Sequence, residues 1–480
     1  PGTSEMHLVQ AMDAVPEMRG VLCLFEGVCT GAADGYARIA GKPAITVLHL
    51  GPGLGNGIAN LHNARRAATP IINLVGNHAT YHVPHDAPLT SDIETLAKNV
   101  STWIKSDSTA GSLAADGMMA LAKTQSPSHG SDGATATLII PAEACWGEAP
   151  DIATVVQPEP PAVVEAERIQ SVAKALGPAS MLLLDKGALT VESRMLAAQV
   201  AHKMGCRVSM STFPARVDSG PGHPVVERLP YFPEDVLRAM DGVEHLVLVG
   251  AEQPVSFFAY PNQDSVLVPE NCTVDRLVGA HENVSQALQD LCAAVDATST
   301  QPMIYTKESL PVLQGKLSVR AVANVVAQHM PDESILCGDS GGGAAVLGPA
   351  QVSKAHTWLN LTGGSIGQGG PAAVGDPNQS PSVLGTHQTS CFLSMAFTPV
   401  RSVDRSSKVR PASPSVFSRG STCTVQPSIP RLAWSSPRTA VCIKDLTTTD
   451  TNAPGGLSTR NSGEKRLKQS TVCALSAVIQ

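Results

Sequence analysis

The stretch FEGVCTGAADGYARIAGKPAITVLHLGPGLGNG, residues 25–57, decides how the first third of the chain is read. "TGAADGYARIAG" carries apolar residues at helical spacing and is followed by the apolar run "AITVLHL". Helical spacing returns in "NGIANLHNARRA" and a second apolar run follows in "PIINLVGN". Short apolar runs alternating with helical periods imply parallel strands covered by helices on both faces. Upstream, "VLCLFE" reads as another buried strand, which puts the carboxyl of Glu26 at its end. An unpaired carboxylate is costly there, so such a group is expected to hold its proton.

Working outward, "ATLIIPA" adds a strand and "TSDIETLAKNVSTWI" reads as a helix, so residues 1–150 form one α/β block. A Pro-rich link near 150–162 separates it from residues 163–296. There "SMLLLDKGA", "CRVSMST" and "HLVLVGAE" read as strands, and "VESRMLAAQVAHKMG" and "ENVSQALQDLCAAV" as helices. A third block, 312–375, runs from the helix "KLSVRAVANVVAQHM" through the strand "SILCGD" to the glycine-rich "LTGGSIGQGGPAAVG". The expected fold is therefore three consecutive parallel-sheet α/β domains. Residues 376–480 are Ser/Thr/Pro-rich and lack either period, and are expected to be a disordered tail. They carry 12 Lys/Arg against 5 Asp/Glu, leaving 22 against 36 upstream, so an acidic body bears a basic tail.

The net charge of −7 argues against a nucleic-acid or anionic-membrane footprint for the whole molecule. No run of 18 apolar residues offers a membrane span, and the opening "PGTSEMHLVQ" has no signal-peptide pattern, so a cytoplasmic protein is expected. Eleven scattered cysteines without a C-x-x-C read as reduced thiols, and Cys23, Cys29 and Cys145 as small core residues. "GDSGGG", 338–343, resembles a serine-protease nucleophile loop, but the alternating scaffold and the lack of a matching histidine segment argue for a turn, or a backbone approach to a ligand, instead. "HLGPGLGNG" is not a G-x-G-x-x-G fingerprint, and Asn77 cannot replace the acid that a ribose needs. His78, His82 and His85 lie close together, but Pro84 interrupts any shared helix face; a strand-end loop touching a ligand and ordinary surface histidines both remain open.

"PGTSEMHLVQAMD", the stretch from Phe25 to His82, "LIIPAEACWGEAP", "STFPARVDSGPGHPVVERLPYFPEDV" and "LTGGSIGQGGPAAVG" occur in the order in which they resemble a thiamine-diphosphate-dependent enzyme. The nearest likeness is to acetolactate-synthase large-subunit-like and benzoylformate-decarboxylase-like proteins. The resemblance implies a pyrimidine-binding domain (1–150, lacking its first strand), a central domain (163–296) and a partial diphosphate-binding domain (312–375). It implies that Glu26 faces N1′ of the cofactor's aminopyrimidine and shares a proton with it. His49 matches an active-site histidine of the benzoylformate-decarboxylase-like group, where a proton relay and a purely structural role are both open. Gly51, Gly53 and Gly55 would let backbone approach ring or substrate. Gly364 resembles the residue whose carbonyl meets the 4′-amino group, and Ile366 the wedge that keeps the cofactor bent.

The implied reaction is decarboxylation or carboligation of a small 2-oxoacid, in a homodimer or homotetramer whose sites lie between subunits. The family also holds Mg²⁺ through a Gly-Asp-Gly and a later Asn, and no Gly-Asp-Gly occurs here. Asp376, followed by Pro377, and Asp404 are poor substitutes, so no metal ligand is assigned and impaired activity is expected. The alternative is a catalytically inactive paralogue that binds an intact subunit.

Overall fold

A computed structural model of the chain describes residues 1–126, 134–149, 153–279, 281–339, 345–375 and 391–393. All of these fall in one unit, Pro1–Phe397 with Ser462–Gln480; the second unit, Thr398–Asn461, lies outside the described residues.

The first sheet holds β1 (Ala44–Leu48), β2 (Ile71–Asn77), β3 (Trp103–Lys105) and β4 (Thr135–Pro141), in the order β1-β2-β4-β3. Every pairing is parallel. The near-continuous apolar runs seen in the sequence arise because the sheet is covered on both faces. Ile71, Val75 and Ile139 pack on one side with Leu48, Leu54 and Leu61, while Ile72, Leu74, Leu138 and Ile140 pack on the other with Leu8 and Ala11. The helices are α1 (Met6–Asp13), α2 (Glu26–Ala40), α3 (Leu50–Arg66), α4 (Ile93–Lys98) and α5 (Leu113–Gln125). Asp92 caps α4, its carboxylate accepting from Thr95 N at 3.0 Å. The segment expected as one helix through Ile104 stops at Lys98, and Trp103–Lys105 becomes β3 because it pairs with β4.

The expected strand "VLCLFE" is absent, which corrects the opening reading. Residues 17–23 are irregular, Leu22 and Leu24 are 81% and 96% exposed, and Glu26 opens helix α2. Among the described residues β1 closes that sheet edge with no strand beside it. Apolar composition alone does not separate a strand from an extended segment whose side chains stay uncovered.

The second sheet, order β10-β9-β5-β6-β8, comprises β5 (Ser180–Leu184), β6 (Arg207–Met210), β8 (Glu227–Arg228), β9 (His245–Val249) and β10 (Thr273–Val278), all parallel. Helices α6 (Ala166–Ala175), α7 (Val191–Met204), α8 (Pro233–Ala239) and α9 (Val284–Ala294) accompany it. The third sheet contains β11 (Ser334–Gly338), β12 (His356–Leu359) and β13 (Cys391–Leu393), with helices α10 (Val319–His329), α11 (Leu347–Gln351) and α12 (Gly369–Val374). It is mixed rather than parallel: β7 (Arg216–Ser219), which arises between strands of the second sheet, pairs antiparallel with β12. β13 lies parallel to β11.

Helices α2 and α12 touch backbone to backbone. A Cβ on Gly35 would sit 2.0 Å from the carbonyl oxygen of Ala372, so only glycine allows this approach. The contact seats the glycine-rich segment of the third block on the first.

Candidate active site

Glu26 is half-buried in the first turn of α2, where the helix dipole favours a negative charge. Its Oε2 accepts from Asn56 Nδ2 of α3 at 3.1 Å. Gly53 lies beside it: a Cβ there would stand 3.7 Å from Glu26 Oε1, 3.4 Å from the His49 Cβ and 3.3 Å from the Leu48 carbonyl carbon. Glu26, His49 and Gly53, chosen from sequence, are thus brought together. A Cβ on Gly55 would meet nothing within 4 Å, so that position is open. Gly51 faces elsewhere: its missing side chain leaves room for Ser91, whose Oγ would be 1.9 Å from a Cβ.

His49 ends the β1 run and caps α3, and the next residue, buried Leu50, takes the left-handed conformation at φ 49°. A non-glycine residue there stores about 1 kcal/mol of strain, and it turns the chain sharply from strand to helix beside the histidine. The sequence reading missed what holds the ring. Glu5, completely buried, accepts from Gly2 N at 2.6 Å through Oε2, and the same oxygen lies 2.8 Å from His49 Nδ1. That contact places the proton on Nδ1 and leaves Nε2 with no protein partner among the described residues. The Glu5 Oε1 is buried without a hydrogen bond, against Gly76. No local pattern in "PGTSE" announces this role, which depends on the close approach of Glu5 to Gly76.

Gly364 and Ile366 lie on the loop that leads into α12. Gly364 adopts φ 73° and Ile366 is 76% exposed. The loop is tied down on three sides. Asn63 donates to the Ser365 carbonyl at 2.8 Å and accepts from Ser365 N at 3.1 Å. His62 Nε2 lies 3.1 Å from the Gly363 carbonyl, and Asp339 accepts from Gly367 N at 2.9 Å and from Gln368 N at 3.1 Å. Asp339 is the acid of "GDSGGG"; residues 340–344 lie outside the described residues. Asn63 is ten residues along α3 from Gly53, about 15 Å. Within one chain, then, the Glu26 cluster and the loop stand apart.

A buried ion pair joins the blocks beneath. Arg38 donates to Asp34 through Nε at 2.8 Å and Nη2 at 2.7 Å, and also to the carbonyls of Ala215 and Asn360 at 3.2 and 2.8 Å. Asp34 further accepts from Thr69 at 2.6 Å and from Gln368 Nε2.

Away from the cluster, the His82 ring meets His78 edge-on and His85 at a tilt, with centroids 5.3 and 5.9 Å apart. Among the described residues no three His, Cys, Asp or Glu side chains group as a metal site; Asp376 and Asp404 lie outside them. Cys23 and Cys29 neighbour one another rather than sitting separately in the core. The Cys29 thiol, donating to Cys23, brings the latter down to about 7, and burial adds to the rise at Cys29.

Residues 1–96 match the family profile for "Thiamine pyrophosphate enzyme, N-terminal TPP binding domain". A Mycobacterium tuberculosis protein described as "Putative acetolactate synthase large subunit IlvX" is 45% identical over 384 residues, covering 79% of this chain and 73% of that protein. The chain belongs to the thiamine-diphosphate-dependent enzyme family. A Mycobacterium smegmatis protein described as a "putative thiamin diphosphate-dependent enzyme" superposes with a TM-score of 0.64 at 25% identity, covering 78% of this chain and 75% of that one. A Rhodococcus jostii RHA1 4-hydroxybenzoylformate decarboxylase shares the fold, with a TM-score of 0.65 at 20% identity over 78% and 74% of the two chains. For a thiamine-diphosphate-dependent enzyme the Glu26 end fits an aminopyrimidine: a half-buried carboxylate with Oε1 unbonded among the described residues, beside the open face at Gly55. The diphosphate end has no such fit among the described residues. No helix among them is long and apolar enough to cross a membrane.

Proposed function

We propose that the chain handles a 2-oxoacid, as an acetolactate-synthase-like carboligase or decarboxylase, with residues 1–150 holding the pyrimidine, 163–296 central, and 312–375 contributing the loop of Gly364 and Ile366. The observation that carries this reading is the cluster of Glu26, Asn56, Gly53 and the Glu5–His49 pair on two adjoining helix starts. Thiamine diphosphate, when bound, supplies the electron sink for carboxylate loss. Glu26 would exchange a proton with the ring nitrogen through Oε1, and Asn56 orients its carboxylate. His49, its Nδ1 fixed by Glu5, presents Nε2 for proton exchange with the substrate. Gly364 would offer its carbonyl to the amino substituent, and Ile366, exposed on the same loop, would lie against the cofactor.

A homodimer is supported by two features. The Glu26 cluster and the loop lie about 15 Å apart along α3, too far to grip one ring. Leu22, Leu24 and Phe25 form an exposed apolar lip beside Glu26, which a second copy would cover and so dry the site.

The second reading, an inactive paralogue that pairs with an intact subunit, is favoured by the lack of a Gly-Asp-Gly sequence. Titration calorimetry with thiamine diphosphate, with and without Mg²⁺, tests the first reading. Saturable heat that strengthens with Mg²⁺ is expected; no heat in either condition refutes cofactor binding by this chain.

A further inference from the structure

A pair of thiols beside Glu26 plays no part in the proposed function. Cys23 lies in the irregular segment that enters α2, and Cys29 is the fourth residue of that helix. At a helix start the fourth residue ordinarily packs against an apolar side chain just outside the helix. Here that neighbour, Leu24, stands out in solvent, and the Cys29 thiol donates to Cys23 instead. Leu22 and Leu24, on either side of Cys23, are both exposed, which turns the Cys23 side chain toward the helix. Two sulfurs thus stand within hydrogen-bond reach where an apolar contact would close the turn.

The backbone permits them to come closer. The Phe25 carbonyl accepts from Val28 N at 3.0 Å and Cys29 N at 3.1 Å, which fixes Cys29 in the helix. The N–H groups of residues 20–25 donate to no other backbone group among the described residues. Cys23 can therefore close in to the S–S bond length of about 2 Å without breaking a backbone hydrogen bond. The pair is also within reach of a small oxidant, since both residues are half-buried, whereas Cys145, Cys292 and Cys337 are buried. With the Cys29 thiol donating to it, Cys23 ionises at about 7 and presents the nucleophilic thiolate at neutral pH.

We propose that Cys23 and Cys29 form a peroxide-sensitive modification site, closing to a disulfide that staples the entry segment to the start of α2. Glu26 and Cys29, three residues apart, share a face of that helix, so the staple closes over the turn that bears the carboxylate. The Cys23 thiolate attacks hydrogen peroxide: S–O forms as O–O breaks, and the hydroxide released takes a proton from solvent. The Cys29 sulfur then attacks Cys23. S–S forms as S–O breaks, and the Cys29 proton leaves with the oxygen as water. Once Cys23 is no longer a thiolate, the charge that kept the proton on Cys29 is gone. Two thiols are oxidised to one disulfide, and one peroxide is reduced to two waters.

The test exposes the full chain to hydrogen peroxide at neutral pH, blocks the remaining thiols, and reads the tryptic peptide of residues 20–38, which holds both cysteines. That peptide is expected to lose two hydrogens, and dithiothreitol to restore them. Cys23 should react at least about tenfold faster than Cys145 or Cys292. In Cys29→Ser, Cys23 should stop at the sulfenic acid and be trapped by dimedone; in Cys23→Ser, Cys29 should stay reduced. In the oxidised parent the amides of Val28 and Cys29 should gain at least about threefold protection from hydrogen exchange, because the staple keeps the first turn from fraying. A peptide that keeps both thiols, Cys23 joined to any other cysteine, or no gain of protection after closure overturns the inference. Thiamine diphosphate enters none of these readouts, so their failure is separate from failure of the proposed function.

Discussion

Replacing Arg38 by Met should loosen the glycine-rich loop without touching the cluster around Glu26. The side chains of Arg38 and Asp34 are 4% and 0% exposed, so removal of the cation leaves a carboxylate in a dry site. Breaking a buried pair in this way costs about 3–5 kcal/mol. Asp34 keeps the hydroxyl of Thr69 and the amide of Gln368 as donors, which puts the cost near the lower end. Against that, the Ala215 and Asn360 carbonyls each lose a guanidinium donor, about 1 kcal/mol apiece. A loss of about 3 kcal/mol or more is a factor of about 150 in a local opening equilibrium. Hydrogen exchange reads it residue by residue: the amides of Gly367 and Gln368, bonded to Asp339, should lose about that much protection, while β9 in the second sheet changes little. Removing the stranded charge as well, in Asp34→Asn/Arg38→Met, should recover part of the loss. Unchanged exchange at 367–368 in Arg38→Met, or a double variant as damaging as the two single costs summed, would refute the reasoning.

Glu5→Leu should remove the acceptor that holds the His49 proton on Nδ1 and so release it to both tautomers; ¹⁵N shifts of the imidazole report the tautomer, and turnover should fall about 10–100-fold. No change in those shifts would contradict the pairing. For Cys23, ionisation near 7 predicts that its alkylation by iodoacetamide rises to half its maximum around pH 7, and in Cys29→Ala the midpoint should move upward as the stabilising thiol donor is lost. Mass spectrometry that finds Cys23 unreactive up to pH 9 would sink this.

Much of the α/β alternation was legible because the buried strands of the first two sheets are unbroken apolar runs: "IINLVGN" and "LVLV" have no other economical reading. The errors arise where pairing rather than composition decides. "VLCLFE" is as apolar as a strand, but β1 closes the sheet edge and the segment stays uncovered. Residues 216–219 leave their sequence neighbours to pair with β12, which no local pattern announces. At the candidate site, Glu26 and His49 could be placed by motif order, and their proximity follows from two helices that start side by side. Glu5 could not, since its role depends on a strand end 71 residues away, at Gly76, that leaves no room for a Cβ.

The most direct measurement compares the parent chain with Glu26→Gln by circular dichroism while thiamine diphosphate and Mg²⁺ are added. If Glu26 exchanges a proton with the aminopyrimidine, the parent develops a cofactor-dependent signal that titrates with pH, and the variant binds at least about tenfold more weakly and shows no such titration. Identical affinity and identical pH response in the two proteins would contradict the account.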